Sequence, residues 1–182
     1  MTQAKIVKAL LKDYEVAAEA KKSSILVVDD EEMCITGLTQ ILSPKYTVHV
    51  SMSGQDAVEA AKKFLPDIIL LDIVMPEMDG YAVIAALKKS KKTRDIPVIF
   101  LTAMTSAEDE IKGLDFGAVD YIFKPFSRDL LLRRVELHLL LEAQKRELKR
   151  YSDTLEAIVV EKTQTVFELR NAIRSTFQGN KS

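Results

Sequence analysis

The sequence predicts an α/β fold built around a doubly wound, five-stranded parallel sheet. Short runs rich in apolar, β-branched or aromatic residues recur at 25–28, 47–50, 68–71, 98–101 and 121–123. Runs of this length are typical of strands, and the three that are apolar almost throughout are typical of strands covered on both faces. Segments with helical spacing separate the runs, and this alternation favours parallel strands joined by helices.

Composition and charge limit the kinds of protein that this chain can be. Its 182 residues include 26 Lys and Arg, 27 Asp and Glu, 47% hydrophobic residues and a single cysteine, Cys34. One cysteine excludes a disulfide framework. We expect a cytoplasmic protein without a membrane span, because the chain has no signal-peptide pattern and no apolar run of sufficient length. A net charge of −1 argues against a nucleic-acid-binding surface.

The first predicted element is an amphipathic helix that precedes the sheet. Ile6, Leu10, Tyr14 and Ala17 follow one another at helical spacing within residues 3–20. Because this helix comes before the first strand, it is not one of the helices that join strands. We therefore assign residues 1–22 to a separate N-terminal helix.

Helical spacing also marks the segments between the strands, of which 31–43 and 54–64 are examples. In the first, the apolar residues expected to share one side are Met33, Ile35, Leu38, Ile41 and Leu42. In the second, they are Ala57, Val58, Ala61 and Phe64. Such stripes predict helices that pack against the sheet.

The last predicted element is a long helix. Residues 127–175 contain neither Pro nor Gly, and Ser127 is a suitable N-cap. Heptad positions a and d hold Leu141, Leu148, Tyr151, Leu155 and Ile158 before the pattern shifts by four residues. We expect residues 142–182 to form a coiled coil in a parallel homodimer, after a domain spanning 23–141. The alternative is an amphipathic helix that folds back on its own domain.

Polar residues follow four of the predicted strands and favour phosphoryl chemistry. Asp29 and Asp30 follow the first strand, Asp72 the third, Thr102 the fourth and Lys124 the fifth. Because the carboxyl ends of parallel strands meet at one edge, we expect these side chains to converge. Clustered carboxylates need a compensating cation, and hard oxygen ligands suit Mg²⁺. A lysine and a hydroxyl suit phosphoryl oxygens, so Asp72 is the candidate nucleophile that becomes an aspartyl phosphate.

Each of these residues also has a simpler interpretation when taken alone. Asp30 is a possible cap for the following helix, Asp72 a possible turn residue before Pro76, and Lys124 a possible solvated loop residue. Their common position at the ends of several strands favours the shared site over three unrelated roles.

Four segments resemble the receiver domain of two-component response regulators. They are residues 25–31 (ILVVDDE), 67–81 (DIILLDIVMPEMDGY), 98–103 (VIFLTA) and 117–126 (GAVDYIFKPF). The resemblance extends from about residue 24 to about residue 141. It implies a sheet of strand order 2-1-3-4-5 and a phosphoryl group received from a sensor histidine kinase.

The resemblance also implies a role for each residue of the site. Asp72 corresponds to the phosphoacceptor, and Asp29 and Asp30 to the acidic pair that binds Mg²⁺. The main-chain carbonyl of Val74 corresponds to a further metal ligand, in addition to Asp72 itself. Lys124, joined to Pro125 by a cis bond in the family, corresponds to the phosphate-binding lysine. The switch pair is Thr102 and Tyr121.

Flavodoxin-like FMN binding is the rival that shares this sheet order. It requires a phosphate-binding loop rich in Ser, Thr and Gly after the first strand. The four residues at 29–32 are all acidic here and would repel phosphate without a metal ion. We therefore reject this function.

The segment at the end of the chain suggests what the receiver controls. Residues 161–163 resemble an element of signalling helices, and 165–176 resemble the approach to an HD-GYP output domain, which in that family hydrolyses cyclic di-GMP. As it stands, the chain is predicted not to be an enzyme. We expect the signal to leave the receiver through the coiled coil of residues 142–182, which would lead to an output domain. The alternative is that the chain is the inactive input part of a cyclic di-GMP phosphodiesterase.

Four residues lead to narrower expectations. Cys34 is expected to be a buried, unreactive residue of the first interstrand helix, and His138 in the long helix has no evident partner.

Val74 and Met104 correspond to positions that border the path of attacking water in the family. Both are apolar and do not orient water, so we expect slow loss of the phosphoryl group.

Overall fold

The computed structural model describes residues 22–103 and 116–179. The N-terminal helix predicted over 3–20 lies outside these residues. Among the described residues, no helix combines the length and the apolar content that a membrane crossing requires.

The described elements alternate between strands and helices. The strands are β1 (Ser24–Val28), β2 (Thr47–Ser51), β3 (Ile68–Asp72), β4 (Val98–Thr102) and β5 (Asp120–Phe123). The helices are α1 (Glu32–Leu42), α2 (Gly54–Phe64), α3 (Gly80–Lys89) and α4 (Arg128–Gly179). All strand pairs are parallel and the order is β2-β1-β3-β4-β5, which confirms the predicted fold.

Two apolar clusters cover the two faces of the sheet. One combines residues of α2 and α3 with Leu71, Phe100 and Tyr121. The other combines residues of α1 and the start of α4 with Leu70 and Ile122. Because successive strand residues point to opposite faces, β1, β3 and β4 contribute to both clusters and are apolar almost throughout.

Side-chain caps start three of the helices. Ser53 Oγ accepts the N–H of Asp56 at α2, and an oxygen of Asp79 accepts the N–H of Ala82 at α3. Ser127 Oγ accepts the N–H of Leu130 at 3.2 Å, which confirms its predicted role. Each contact satisfies an N–H that has no partner within the helix.

The prediction that Met33 lies on the inner side of α1 is wrong. The side chain is 88% exposed, whereas Ile35, Leu38 and Leu42 are buried. A helix turns about 100° per residue, so Met33 lies about 160° around the axis from Ile35. The apolar residue type of Met33 suggests a core position, but its angular position on the helix places it on the outer side.

The chain divides into two compact units, the first ending at Leu139 and the second beginning at Leu140. In the first unit, α4 buries Leu131 and Val135 completely. In the second unit, α4 exposes a series of apolar side chains that includes Leu141, Leu148, Tyr151, Leu155 and Ile158.

Candidate functional site

Three carboxylates meet beyond the carboxyl ends of β1 and β3. Asp29 and Asp30 follow β1, and Asp72 is the last residue of β3. One oxygen from each of the three lies within 4.8 Å of the others. Asp29 and Asp72 are buried and Asp30 is partly exposed. The sheet order places β1 beside β3, which is why residues distant in the sequence share one site.

Lys124 supplies a positive charge to two of these carboxylates. Its Nζ lies 2.7 Å from Asp29 Oδ2 and 3.2 Å from Asp72 Oδ2. Lys124 follows β5 directly, and its backbone N–H donates to the carbonyl of Thr102 at 2.7 Å. The Lys124–Pro125 peptide bond is cis, as the resemblance implies. One ammonium against three carboxylates leaves this cluster negative.

Burial and charge shift the proton affinities within the site. Burial raises the pKa of Asp72, and the positive charge of Lys124 offsets this only in part. Burial lowers the pKa of Lys124, but the hydrogen bond to Asp29 and the charge of Asp72 outweigh it, so the net shift is upward. Lys124 is therefore held protonated, and the buried carboxylates favour additional positive charge.

The loop after Asp72 returns closely to the site. Ile73 N–H donates to Asp72 Oδ1 at 2.9 Å, and Gly80 N–H donates to the carbonyl of Ile73 at 2.9 Å. A Cβ atom at Gly80 would overlap the carbonyl oxygen of Asp72. Glycine is therefore required here by close approach of the backbone.

The structure argues against the simpler interpretation of Asp30 as a helix cap. The N-cap of α1 is Glu31, which makes no side-chain capping bond. The N–H of Glu31 donates instead to Asp29 Oδ1 at 3.0 Å. Asp30 therefore belongs to the carboxylate cluster and does not cap the helix.

The remaining predicted site residues lie around this cluster or on neighbouring strands. Thr102, the last residue of β4, is 2% exposed, and Tyr121 on β5 is 6% exposed. The Tyr121 ring packs 5.6 Å from the ring of Phe100, measured between centroids. Val74, two residues beyond Asp72, is 58% exposed. Met104 lies outside the described residues.

The expectation that Cys34 is simply an apolar core residue is incomplete. Cys34 is partly buried and packs against the apolar cluster of α1 and α4. Burial and a hydrogen bond to Asp29 raise the pKa of its thiol to about 12, so it stays protonated beside the site. The sequence does contain a signal for this contact. Cys34 follows Asp29 by only five residues, and α1 begins at the acidic edge of the sheet.

The expectation that His138 has no evident partner is wrong. His138 Nε2 lies 2.9 Å from Asp120 Oδ2, and Arg134 Nη1 contacts both oxygens of the same carboxylate. Asp120 opens β5, so the contact depends on how α4 packs against that strand. The available signal was the spacing of Arg134 and His138, which places them one turn apart on α4.

Most of the first unit matches one known family. The family model described as "Response regulator receiver domain" matches residues 25–136, which include the three carboxylates and Lys124. The chain belongs to the response regulator receiver family. Receiver domains work in two-component signalling, and the acidic cluster is where this family binds Mg²⁺.

Two curated relatives combine a receiver of this kind with a longer chain. A probable cyclic di-GMP phosphodiesterase of Vibrio cholerae is 40% identical over 155 residues, which is 85% of this chain and 35% of that protein. Response regulator PleD of Caulobacter vibrioides is 45% identical over 112 residues, which is 61% of this chain and 25% of PleD. The chain thus spans about a third or less of these relatives' length.

Solved receivers have the same fold. Chemotaxis protein CheY4 of Vibrio cholerae is 28% identical with a TM-score of 0.61, and the match covers 64% of this chain and 98% of that one. A putative response regulator from Chloroflexus aurantiacus is 32% identical with a TM-score of 0.63, covering 66% and 99%. These receivers match along almost their whole length.

Proposed function

We propose that this receiver accepts a phosphoryl group on Asp72 from a sensor histidine kinase, in a reaction that requires Mg²⁺. The observation that carries the proposal is the contact of Lys124 Nζ with both Asp29 and Asp72, at 2.7 and 3.2 Å. A protonated lysine beside a buried carboxylate provides charge stabilisation at the point where phosphoryl oxygens would lie.

Asp72 acts as the nucleophile. Its Oδ1 accepts the N–H of Ile73, which leaves Oδ2, beside Lys124, to attack the phosphorus of a phosphohistidine. The new P–O bond forms as the P–N bond breaks, and the imidazole nitrogen leaves with the electron pair. Lys124 keeps its proton and donates to an oxygen of the transferred group. The hydroxyl of Thr102 binds another of these oxygens.

Asp29, Asp30, Asp72 and the main-chain carbonyl of Val74 would hold the Mg²⁺ ion. The fit rests on the donor set: three carboxylates converge, two of them buried, and they are hard oxygen ligands with excess negative charge. Bound there, Mg²⁺ supplies charge neutralisation for the phosphoryl oxygens. Tyr121 packs against Phe100 and acts with Thr102 as the switch.

Phosphorylation of the isolated protein tests the assignment of Asp72. Incubation with acetyl phosphate and Mg²⁺ should add one phosphoryl group by intact mass, and EDTA should prevent it. Asp72→Asn should abolish the addition. Asp79→Asn is the matched control, because Asp79 caps α3 in the same loop and asparagine caps equally well. Equal modification of Asp72→Asn and the wild type would refute the assignment.

The second part of the proposal concerns the coiled coil over 142–182, in which two copies of the chain would pair in parallel. The heptad residues of α4 leave an exposed apolar stripe in one copy, with Leu148 at 71% and Leu155 at 62% exposure. Stripes of this kind are normally covered, and heptad spacing suits an identical helix.

Light scattering tests this pairing and should give about twice the chain mass of 20.4 kDa. Leu148→Glu should shift the protein toward the monomer. Val160→Glu is the matched control, because Val160 is 70% exposed but falls outside the a and d positions. A wild-type monomer at high micromolar concentration would refute the dimer.

The alternative function is that of an input part for a cyclic di-GMP phosphodiesterase of the HD-GYP type. Similarity to the Vibrio cholerae protein supports it, because that match spans 155 residues and the receiver match only 25–136. A reading frame that continues past Ser182 with a His-Asp pair and Gly-Tyr-Pro would favour this alternative. Hydrolysis of cyclic di-GMP by the product of that frame, and not by residues 1–182, would establish it.

A further inference from the structure

Asp120 connects a strand residue with two residues of the last helix. Its Oδ1 accepts the backbone N–H of Tyr121 and an N–H of Arg134, both at 2.8 Å. Its Oδ2 lies 2.7 Å from Arg134 Nη1 and 2.9 Å from His138 Nε2. Burial raises the pKa of Asp120, but the bonds from His138 and Arg134 hold it below its usual value. The ionised carboxylate therefore accepts in all of these hydrogen bonds, and His138 Nε2 is the donor in its own.

The side chains of Asp120 and Tyr121 point to opposite faces of the sheet. The Tyr121 side chain packs in the cluster formed with α2 and α3. Ile122 packs in the other cluster, with Leu131 and Val135 of α4. Successive strand residues alternate between faces, so the side chain of Asp120 points to the α4 face while it binds the backbone of Tyr121. Asp120 therefore joins the backbone of β5, at Tyr121, to two side chains of α4.

These hydrogen bonds constrain the rotation and axial position of α4 more closely than its apolar contacts do. Leu131 and Val135 are fully buried and set which face of α4 meets the sheet, but burial of apolar surface is non-directional and leaves small rotations and axial shifts of the helix open. Arg134 and His138 lie one turn apart on the same face of α4. A carboxylate that binds both fixes the rotation and the axial position of α4 against β5.

We propose that Asp120 is a positioning residue that passes the state of the acidic site, through the backbone of Tyr121, to the orientation of α4. The inference rests on the proposed function. Lys124 follows β5 directly and lies three residues after Tyr121, so a change at the site that moves β5 also moves the N–H held by Asp120. Because Arg134 and His138 are bonded to the Asp120 carboxylate, a movement of that carboxylate changes the orientation of α4.

Hydrogen exchange of residues 128–139, measured with and without beryllofluoride and Mg²⁺, tests the connection. Beryllofluoride occupancy at Asp72 is followed separately by fluorine NMR. In the wild type, we expect exchange to change by about fivefold or more, the lower range of allosteric couplings. Asp120→Asn, which keeps an acceptor for Tyr121, and His138→Phe, which keeps a ring, should bind beryllofluoride but lose most of this change.

Lys45→Ala is the matched control. Lys45 forms an ion pair with Glu136 of α4 at 2.7 Å, but both side chains are exposed. It should retain the wild-type response. Normal responses in both Asp120→Asn and His138→Phe would overturn the inference, as would loss of beryllofluoride binding in a folded variant. If Asp120→Asn does not fold, His138→Phe decides the matter.

The wild type distinguishes failure of this inference from failure of the proposed function. If beryllofluoride does not bind wild-type protein, the proposed function is overturned, and this inference with it. If it binds and exchange over 128–139 stays unchanged, only the role of Asp120 is overturned.

Discussion

The ammonium of Lys124 lies 2.7 Å from Oδ2 of Asp29, a carboxylate with no exposed surface. Lys124 is closer to Asp29 than to Asp72, the proposed phosphoacceptor. Its positive charge therefore compensates the negative charge of both carboxylates. Removing one member of a buried pair is costly because the other charge remains without compensation.

Lys124→Met should therefore destabilise the metal-free protein at neutral pH by about 2–4 kcal/mol. Added Mg²⁺ should restore part of the loss, because it supplies positive charge to the same carboxylates. Urea unfolding in EDTA and in Mg²⁺ measures both effects. Lys62→Met, which breaks an exposed pair with Glu59, should change stability by less than about 0.5 kcal/mol. Identical losses in EDTA and Mg²⁺ would contradict the prediction.

The second prediction concerns the pH dependence of Asp120. Its pKa is lowered in the folded protein, so its stabilisation is fully present above the unfolded value of about 3.9 and is lost as the pH falls through the folded pKa. Asp120→Asn should cost about 1–3 kcal/mol at pH 7. Urea unfolding across the acid range should show this difference shrinking with falling pH. A cost independent of pH would mean that charge is not involved.

Two glycines should respond to alanine in opposite directions. A Cβ atom at Gly37, within α1, meets nothing within 4 Å, so Gly37→Ala should stabilise the protein by about 0.5–1 kcal/mol through helix propensity. Gly80→Ala should destabilise it by more than about 2 kcal/mol, because Cβ overlaps the backbone of Asp72 and Ile73. Thermal or urea unfolding of both variants makes the comparison. Equal changes in stability for the two variants would indicate that the loop after β3 can move to accommodate a Cβ atom at little cost.

The lifetime of the phosphoryl group should depend on Val74. This exposed apolar residue does not orient water, so the wild type should lose phosphate slowly, and Val74→Asn should speed the loss by about tenfold or more. Met104→Glu should act in the same direction. Decay of the aspartyl phosphate in Mg²⁺ buffer, after removal of the donor, gives the rates. Val50→Asn, an exposed valine of β2, is the control and should decay at the wild-type rate.

The sheet and the carboxylate cluster were predictable because both depend on local patterns. β3 is buried at all five residues, and its apolar run ends in Asp72. Parallel strands then bring their carboxyl ends together whatever the loops do, so Asp29, Asp72 and Lys124 meet without further information.

Contacts that depend on helix packing were not predictable in the same way. The bond between Asp120 and His138 joins residues 18 positions apart and requires α4 to lie against β5 at one rotation. The apolar pattern of α4 indicates which face is buried, but it does not identify a polar partner. The prediction for Met33 is wrong for a different reason, because an apolar residue type does not imply burial when its angle on the helix points away from the sheet.

The apolar strands beside the acidic site also matter before the chain has folded. Segments such as 25–28 and 68–71, with high β propensity and no charge, readily pair with copies of themselves when they are exposed. Asp29 and Asp30 follow the first segment directly, while Asp67 and Asp72 flank the second. In the unfolded polypeptide, these charges act as gatekeepers that oppose aggregation of the nascent strands. Three of these carboxylates, Asp29, Asp30 and Asp72, gather at one edge of the folded sheet and thus protect the newly made chain while they are still far apart.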